Sequence, residues 1–176
     1  MCIKNEKFPC HRVVLSSSSA YFNVILSSKG SNQNSTLQLE EIDSSIFAVI
    51  LEAMYTFDLP LRKNEVYDFL KASLKLNIPT FVNQCYAFID SNFPPNNIIG
   101  ICLLCHSFGK TELVNKIKKH VAENFKEYVQ SMELDGLPLE IFIDILNEKT
   151  LERDEDIILK AIASSVRKTG RNVSEV

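Results

Sequence analysis

Phe8-Pro9-Cys10-His11-Arg12-Val13-Val14-Leu15-Ser16-Ser17-Ser18-Ser19-Ala20-Tyr21-Phe22-Asn23-Val24-Ile25-Leu26 is the stretch whose reading decides the fold. It predicts a short extended piece around Phe8, a serine-rich corner, and a helix on which Phe22, Ile25 and Leu26 recur at helical spacing. Asn5-Glu6-Lys7 reads as a turn feeding the strand. Downstream, Ser27-Ser28-Lys29-Gly30-Ser31-Asn32-Gln33-Asn34-Ser35 is a polar loop, and Thr36-Leu37-Gln38-Leu39-Glu40 alternates in polarity as a short strand does. Asp43 is placed to cap a helix carrying Ile46, Phe47, Ile50, Leu51, Met54 and Tyr55, an i, i+4, i+8 stripe with a flanking row.

Phe57-Asp58-Leu59-Pro60-Leu61 interrupts that helix, and Asn64 caps the next, with Val66, Phe69, Leu70 and Leu74 on its buried face. Pro79-Thr80 separates this from a helix bearing Phe81, Val82, Cys85, Phe88 and Ile89. Two adjacent prolines cannot continue a helix, so Pro94-Pro95 divides the chain into domains at 1–94 and 95–176. Helices are expected over 97–107, 112–129, 138–146 and 155–166, with no strand-like alternation after residue 40 and no fixed repeat. The fold class is mainly α with a small β-sheet: a first α/β domain and a helical second one.

The 176 residues are 45% hydrophobic and 23% charged, an ordinary globular composition. A net charge of -3 and a pI near 5.7 give no basic footprint, so no nucleic-acid partner is expected. The longest apolar run, residues 98–105, is far shorter than the about 20 residues that span a bilayer, and the polar start Met1-Cys2-Ile3-Lys4-Asn5-Glu6-Lys7 lacks the apolar run of a signal peptide. Five scattered cysteines suit free thiols in a reducing compartment, and the expected location is cytoplasmic or nuclear with no membrane association.

Cys102-Leu103-Leu104-Cys105-His106 matches both the c-type haem attachment pattern and half of a zinc site, for which Cys85 is the nearest further ligand. The motif lies in an apolar helix, where cysteine packs as a small hydrophobe, and that is the reading adopted, with thiol redox through Cys102 and Cys105 as the enzymatic rival. Cys10 and His11 could pair for nucleophilic catalysis, but adjacent residues on a strand point to opposite faces. Lys116, Lys118, Lys119, His120 and Lys126 are interleaved with Glu112, Glu123 and Glu127, which makes an ion-paired solvated face rather than a nucleic-acid patch. No active site, metal site or cofactor site is expected.

The opening stretch resembles the signature of BTB/POZ domains, in which Phe-x-(Ala/Cys)-His-(Lys/Arg) leads through Val-Leu and a small-residue turn into Ser-x-Tyr-Phe. Phe47-x-x-Ile50-Leu51-Glu52-x-Met54-Tyr55-Thr56-Phe57-Asp58-Leu59 is similar to that family's next motif, with Phe57 in place of the usual glycine. Asn64-x-Val66-x-x-Phe69-Leu70-x-Ala72-Ser73-x-x-Leu76-x-Ile78 and Cys85-x-x-Phe88-Ile89 extend the likeness. From Asn97 the chain resembles the BACK domain of kelch-like proteins, through Asn97-Ile98-Ile99-Gly100-Ile101, Val121-Ala122-Glu123-Asn124-Phe125-Lys126-Glu127 and Leu137-Pro138-Leu139-Glu140-x-Phe142-x-x-Ile145-Leu146. Against the family pattern, the first helix and strands of the BTB domain, the rest of BACK and the kelch repeats are expected to be missing.

The resemblance implies a non-catalytic adaptor of a cullin-RING ubiquitin ligase, with a cullin scaffold, a BTB homodimer or heterodimer partner and an unknown ubiquitination substrate. It places His11 and Arg12 at a dimer-side pocket. It places Lys29, Asn32, Phe47, Tyr55 and Ile98 on the cullin-facing surface, although Gly30-Ser31-Asn32 stand where adaptors often carry a hydrophobic-x-Glu element. The alternative is a BTB-BACK fragment that pairs with full-length relatives and modulates them. A transcription-repressor BTB is a third reading.

Overall fold

The computed structural model describes residues 2–3, 6–28, 38–39, 42–93, 97–131, 134, 137–149, 151 and 154–172. The chain divides into two compact units, Met1–Asn92 and Phe93–Val176. Pro94 and Pro95, on which the expected boundary rests, lie outside the described residues.

In the first unit a small sheet has strand order β2-β1-β3, with β1 at Cys2–Ile3, β2 at Glu6–Lys7 and β3 at Gln38–Leu39. β1 and β2 pair antiparallel, Cys2 opposite Lys7, while β1 and β3 pair parallel, Cys2 opposite Gln38. A parallel pair needs a long crossover, and α1 (Arg12–Ser18) and α2 (Ala20–Ser28) lie within it. The strand expected around Phe8 therefore ends one residue earlier and has a partner in Cys2–Ile3. Pro9 has no N–H to offer a ladder, which accounts for the stop.

A second correction concerns the expected serine-rich corner: Ser16, Ser17 and Ser18, with Val13, Val14 and Leu15 before them, lie inside α1. Burial of Leu15 outweighs the extended preference of two β-branched neighbours. The corner is reduced to Ser19, extended at φ -136° and ψ 122° between the two helices. Its buried hydroxyl donates to the Leu76 carbonyl and accepts the Phe22 N–H at 3.1 Å. One side chain thus caps α2 and ties it to the end of α4.

α3 (Ser44–Thr56) starts as expected at Asp43, whose carboxylate accepts the Ser45 N–H at 3.0 Å. Ile46, Phe47, Ile50, Ala53 and Met54 face the core, where Phe47 meets Phe8 and Phe22 edge-on at 5.2 and 6.5 Å. The helix closes at Phe57, whose N–H reaches the Ala53 carbonyl at 2.7 Å from a left-handed backbone, φ 61° and ψ 15°. That conformation costs a non-glycine residue about 1–2 kcal/mol.

α4 (Val66–Lys75) begins after Glu65, so Asn64 sits in the preceding turn and is not the cap. Pro79 opens α5 (Pro79–Asn92) instead of separating two helices, the first helical position being where a missing N–H does no harm.

The second unit contains α6 (Ile98–Ser107), α7 (Thr111–Glu123), α8 (Phe125–Gln130), α9 (Leu139–Leu146) and α10 (Glu155–Asn172). The single helix expected over 112–129 is broken at Asn124, whose Nδ2 donates to the His120 carbonyl at 2.9 Å. An asparagine that competes in this way for backbone acceptors favours a helix end. Val114, Ile117 and Val121 of α7 and Ile141, Phe142 and Ile145 of α9 are buried. Lys118 Nζ, on a side chain only 12% exposed, lies 2.6 Å from Asp144 Oδ2 and joins α7 to α9.

Candidate protein-interaction surface

The exposed side of α3 ends on Tyr55, 42% exposed, with Ser45, Ala48, Glu52 and Thr56 exposed along the same helix. Tyr55 is held by His11: the His11 backbone N–H donates to the phenolic oxygen at 2.9 Å, and Nδ1 lies 2.9 Å from the same oxygen. With the N–H on one lone pair, the phenol proton is placed to donate to Nδ1 in the Nε2–H tautomer. The rings meet edge to face at 5.9 Å. His11 thus works as a tether for the carboxyl-terminal end of α3, and its imidazole is engaged with Tyr55 rather than with Cys10.

Arg12, half-buried, donates through Nη2 to the Leu26 carbonyl at 2.7 Å. A cation that donates to a carbonyl in the last turn of α2 complements the helix dipole. Val13 and Val24, which flank this contact in sequence on α1 and α2, are exposed.

The set expected on a partner-facing surface divides. Lys29 and Asn32 lie outside the described residues. Phe47 and Ile98 are both 0% exposed, so neither offers a side chain to a partner. Phe47 belongs to the row that flanks the apolar stripe of α3, and a helix cannot turn one residue of a buried face outward while its neighbours at i+3 and i+4 stay in. Tyr55 alone of the five has an exposed side chain among the described residues. Phe57, absent from that set, is 77% exposed. Its signal in the sequence is an aromatic residue where the resembling motif carries glycine.

The Cys102-Cys105 pair is interior. Both thiols are buried on one face of α6, whereas His106 is exposed. Burial pushes the Cys102 thiol up to about 11, partly offset by Lys118. Burial, with Cys102 adding to it and Lys110 opposing, takes Cys105 to about 12. Burial raises Cys85 to about 12 as well. Thiols held protonated at neutral pH are poor nucleophiles and pack as small hydrophobes. Among the described residues no group of three His, Cys, Asp or Glu side chains is arranged to hold a metal ion.

Of the basic segment of α7, Lys119 pairs with the interleaved Glu123 at 4.0 Å, whereas Lys118 is largely buried and pairs with Asp144 of α9 instead of an interleaved glutamate. A cleft of about 200 Å³ beside it is lined by Glu123, Glu127, Asp154 and Lys126 over Phe125, with no histidine, cysteine or serine among its lining residues. Among the described residues no helix is long and apolar enough to cross a membrane.

His120 stacks flat on Phe93 at 4.4 Å and meets Tyr128 edge-on at 6.2 Å. Desolvation lowers its pKa below the ordinary 6.5, against the opposing pull of Glu123 and Glu127. With the folded value below the unfolded one, the unfolded chain takes up the proton first as pH falls. The stability contribution of neutral His120 is complete above about 6.5 and is lost as pH drops from there toward the folded value. Urea unfolding at pH 7.5 and at pH 5.0 is expected to show a smaller acid-induced loss of stability for His120→Gln than for the unaltered chain. Equal losses would refute this assignment.

The BTB/POZ domain family profile matches residues 1–93, and the profile described as BTB And C-terminal Kelch matches residues 98–175. Kelch-like protein 41 of Rattus norvegicus is 25% identical over 178 residues, covering 98% of this chain and 29% of the relative. Kelch-like protein 28 of Homo sapiens is 28% identical over 167 residues, covering 94% of the chain and 29% of the relative. Kelch-like protein 1 of Mus musculus is 28% identical over 169 residues, covering 95% and 22%. The chain thus spans less than a third of the length of these relatives.

Proposed function

Because the chain belongs to the BTB/POZ family, with a BACK domain following as in Kelch-like proteins, we propose that it is a non-catalytic adaptor that brings a cullin scaffold of a ubiquitin ligase to a substrate. The order of the two matched domains in one chain carries this reading. The exposed end of α3, with Glu52, Tyr55 and Thr56, is the scaffold-facing surface, and the His11 tether fixes its geometry. Val13, which follows His11 and Arg12 in sequence, and Val24 on α2 are given to a second BTB copy. An adaptor needs shape and a few apolar anchors, and the chemistry is left to the ligase.

Light scattering on a sizing column tests this with the whole chain, alone and mixed with the N-terminal domain of the cullin. The expected result is a dimer that shifts to a larger complex. Glu52→Arg alters only an exposed position of α3 and is expected to weaken the complex by about tenfold without changing the unfolding midpoint. A chain that forms no complex with the cullin domain would sink the adaptor reading.

A further inference from the structure

Among the described residues four that are not glycine have a left-handed backbone: Phe57 at φ 61°, Asn77 at 49°, Phe93 at 30° and Asn97 at 60°. Three of them have a local account. Asparagine tolerates this region. The Asn77 carbonyl also accepts the Ala20 N–H at 3.3 Å, and the Asn97 carbonyl accepts the Ile101 N–H at 2.9 Å as α6 starts. Phe93 sets its ring on His120. Phe57 has the same backbone conformation, yet its ring is 77% exposed and takes part in none of the described ring pairs.

The left-handed turn has a use, since it lets the Phe57 N–H close α3 on the Ala53 carbonyl. The phenyl ring adds nothing to that closure. Glycine makes the same hydrogen bond without steric strain, and it would not hold an aromatic face in water. Two unfavourable features therefore coincide on one side chain with no return inside the fold. Strain of this kind, observed at a surface, points to a contact made outside the molecule.

We propose that Phe57 is an anchor residue that inserts its ring into an apolar pocket of the cullin scaffold. This rests on the adaptor reading and extends its surface. Phe57 follows Tyr55 by two residues at the same end of α3, and both are exposed. The exposed acids Glu52 and Asp58 beside it argue against an anionic lipid surface as the occupant. The left-handed backbone fixes the direction in which the side chain leaves the end of α3. A buried aromatic at the centre of a contact commonly dominates its affinity.

Calorimetric titration of the cullin N-terminal domain into the whole chain, with thermal melting alongside, tests the assignment through three variants. Phe57→Ala keeps the strained turn and removes the ring, and is expected to bind about tenfold more weakly. Phe57→Gly is expected to lose the same affinity while its melting midpoint rises by about 2–4 °C, a combination that a structural role for the ring cannot give. Phe57→Tyr restores binding. Unchanged affinity in Phe57→Gly overturns this inference and leaves the adaptor reading standing, whereas no binding by the unaltered chain overturns both. A Phe57-dependent self-association of the chain, with scaffold affinity unchanged, overturns the inference in favour of a second copy as the occupant.

Discussion

Phe47→Ala is expected to lower the stability of the chain by about 3–5 kcal/mol, the range for removing a large aromatic from a packed core. Phe47 has no exposed surface, and its ring is wedged between Phe8 and Phe22 with edge-on contacts to both. Truncation removes the buried ring and leaves a cavity lined by the partners it served. Since the three rings come from the entry segment, α2 and α3, their loss loosens the elements that carry His11 and Tyr55 as well. Urea unfolding followed by circular dichroism measures the effect. A variant that unfolds at the same urea concentration as the unaltered chain but loses a binding partner would return Phe47 to a surface role and contradict its burial. Phe47→Leu keeps most of the buried area and is expected to lose much less.

Ser19→Ala follows with an expected loss of about 2–3 kcal/mol. The Ser19 hydroxyl is buried and makes two bonds at once, donating to the Leu76 carbonyl and accepting the Phe22 N–H. Alanine leaves the first turn of α2 without its cap. It also leaves a carbonyl at the end of α4 without the donor that reaches it, and a buried carbonyl that loses a partner costs more than a surface bond gains. Ser19→Thr keeps the hydroxyl and separates its loss from a change in packing. Unfolding midpoints that coincide for serine and alanine would remove Ser19 from its place as the clasp between α2 and α4.

The helical stripe of α3 was legible from spacing, because Ile46, Ile50 and Met54 repeat with the pitch of a helix and Asp43 offers a short acceptor at the right offset. Phe47 stands in the row that flanks this stripe, with Leu51 and Tyr55, and was assigned to a partner surface by resemblance; its burial decides against that assignment. α1 was not legible, since two valines before a run of serines carry a local preference for extended backbone. Only the burial of Leu15 and the anchoring of Ser19 on Leu76, 57 residues away, tip that segment into a helix. The break at Asn124 turned on a side chain that could either face water or bond to its own backbone.

For the candidate surface, sequence supplied the residue types and structure supplied their exposure. His11 and Arg12 stood out by motif, but their partners, the Tyr55 phenol and the Leu26 carbonyl, are 44 and 14 residues away along the chain. Neither is visible to a reading that works within a turn or two. Cys102, Cys105 and His106 show the converse: a spacing that matched a metal or haem motif lies on α6, whose burial puts two of the three inside and leaves the third in solvent.

The sequence by itself determined that the second unit is helical, that α3 has an apolar stripe, and that the chain carries a BTB domain followed by BACK. These depend on local periodicity and on motifs whose spacing is set by a few turns of backbone. Tertiary structure alone decided which face of each helix is covered, that Phe47 and Ile98 are core, and that Phe57 keeps a strained backbone and a bare ring at the end of α3. Burial depends on what the rest of the chain brings to a residue, and that information is spread over contacts tens of residues apart.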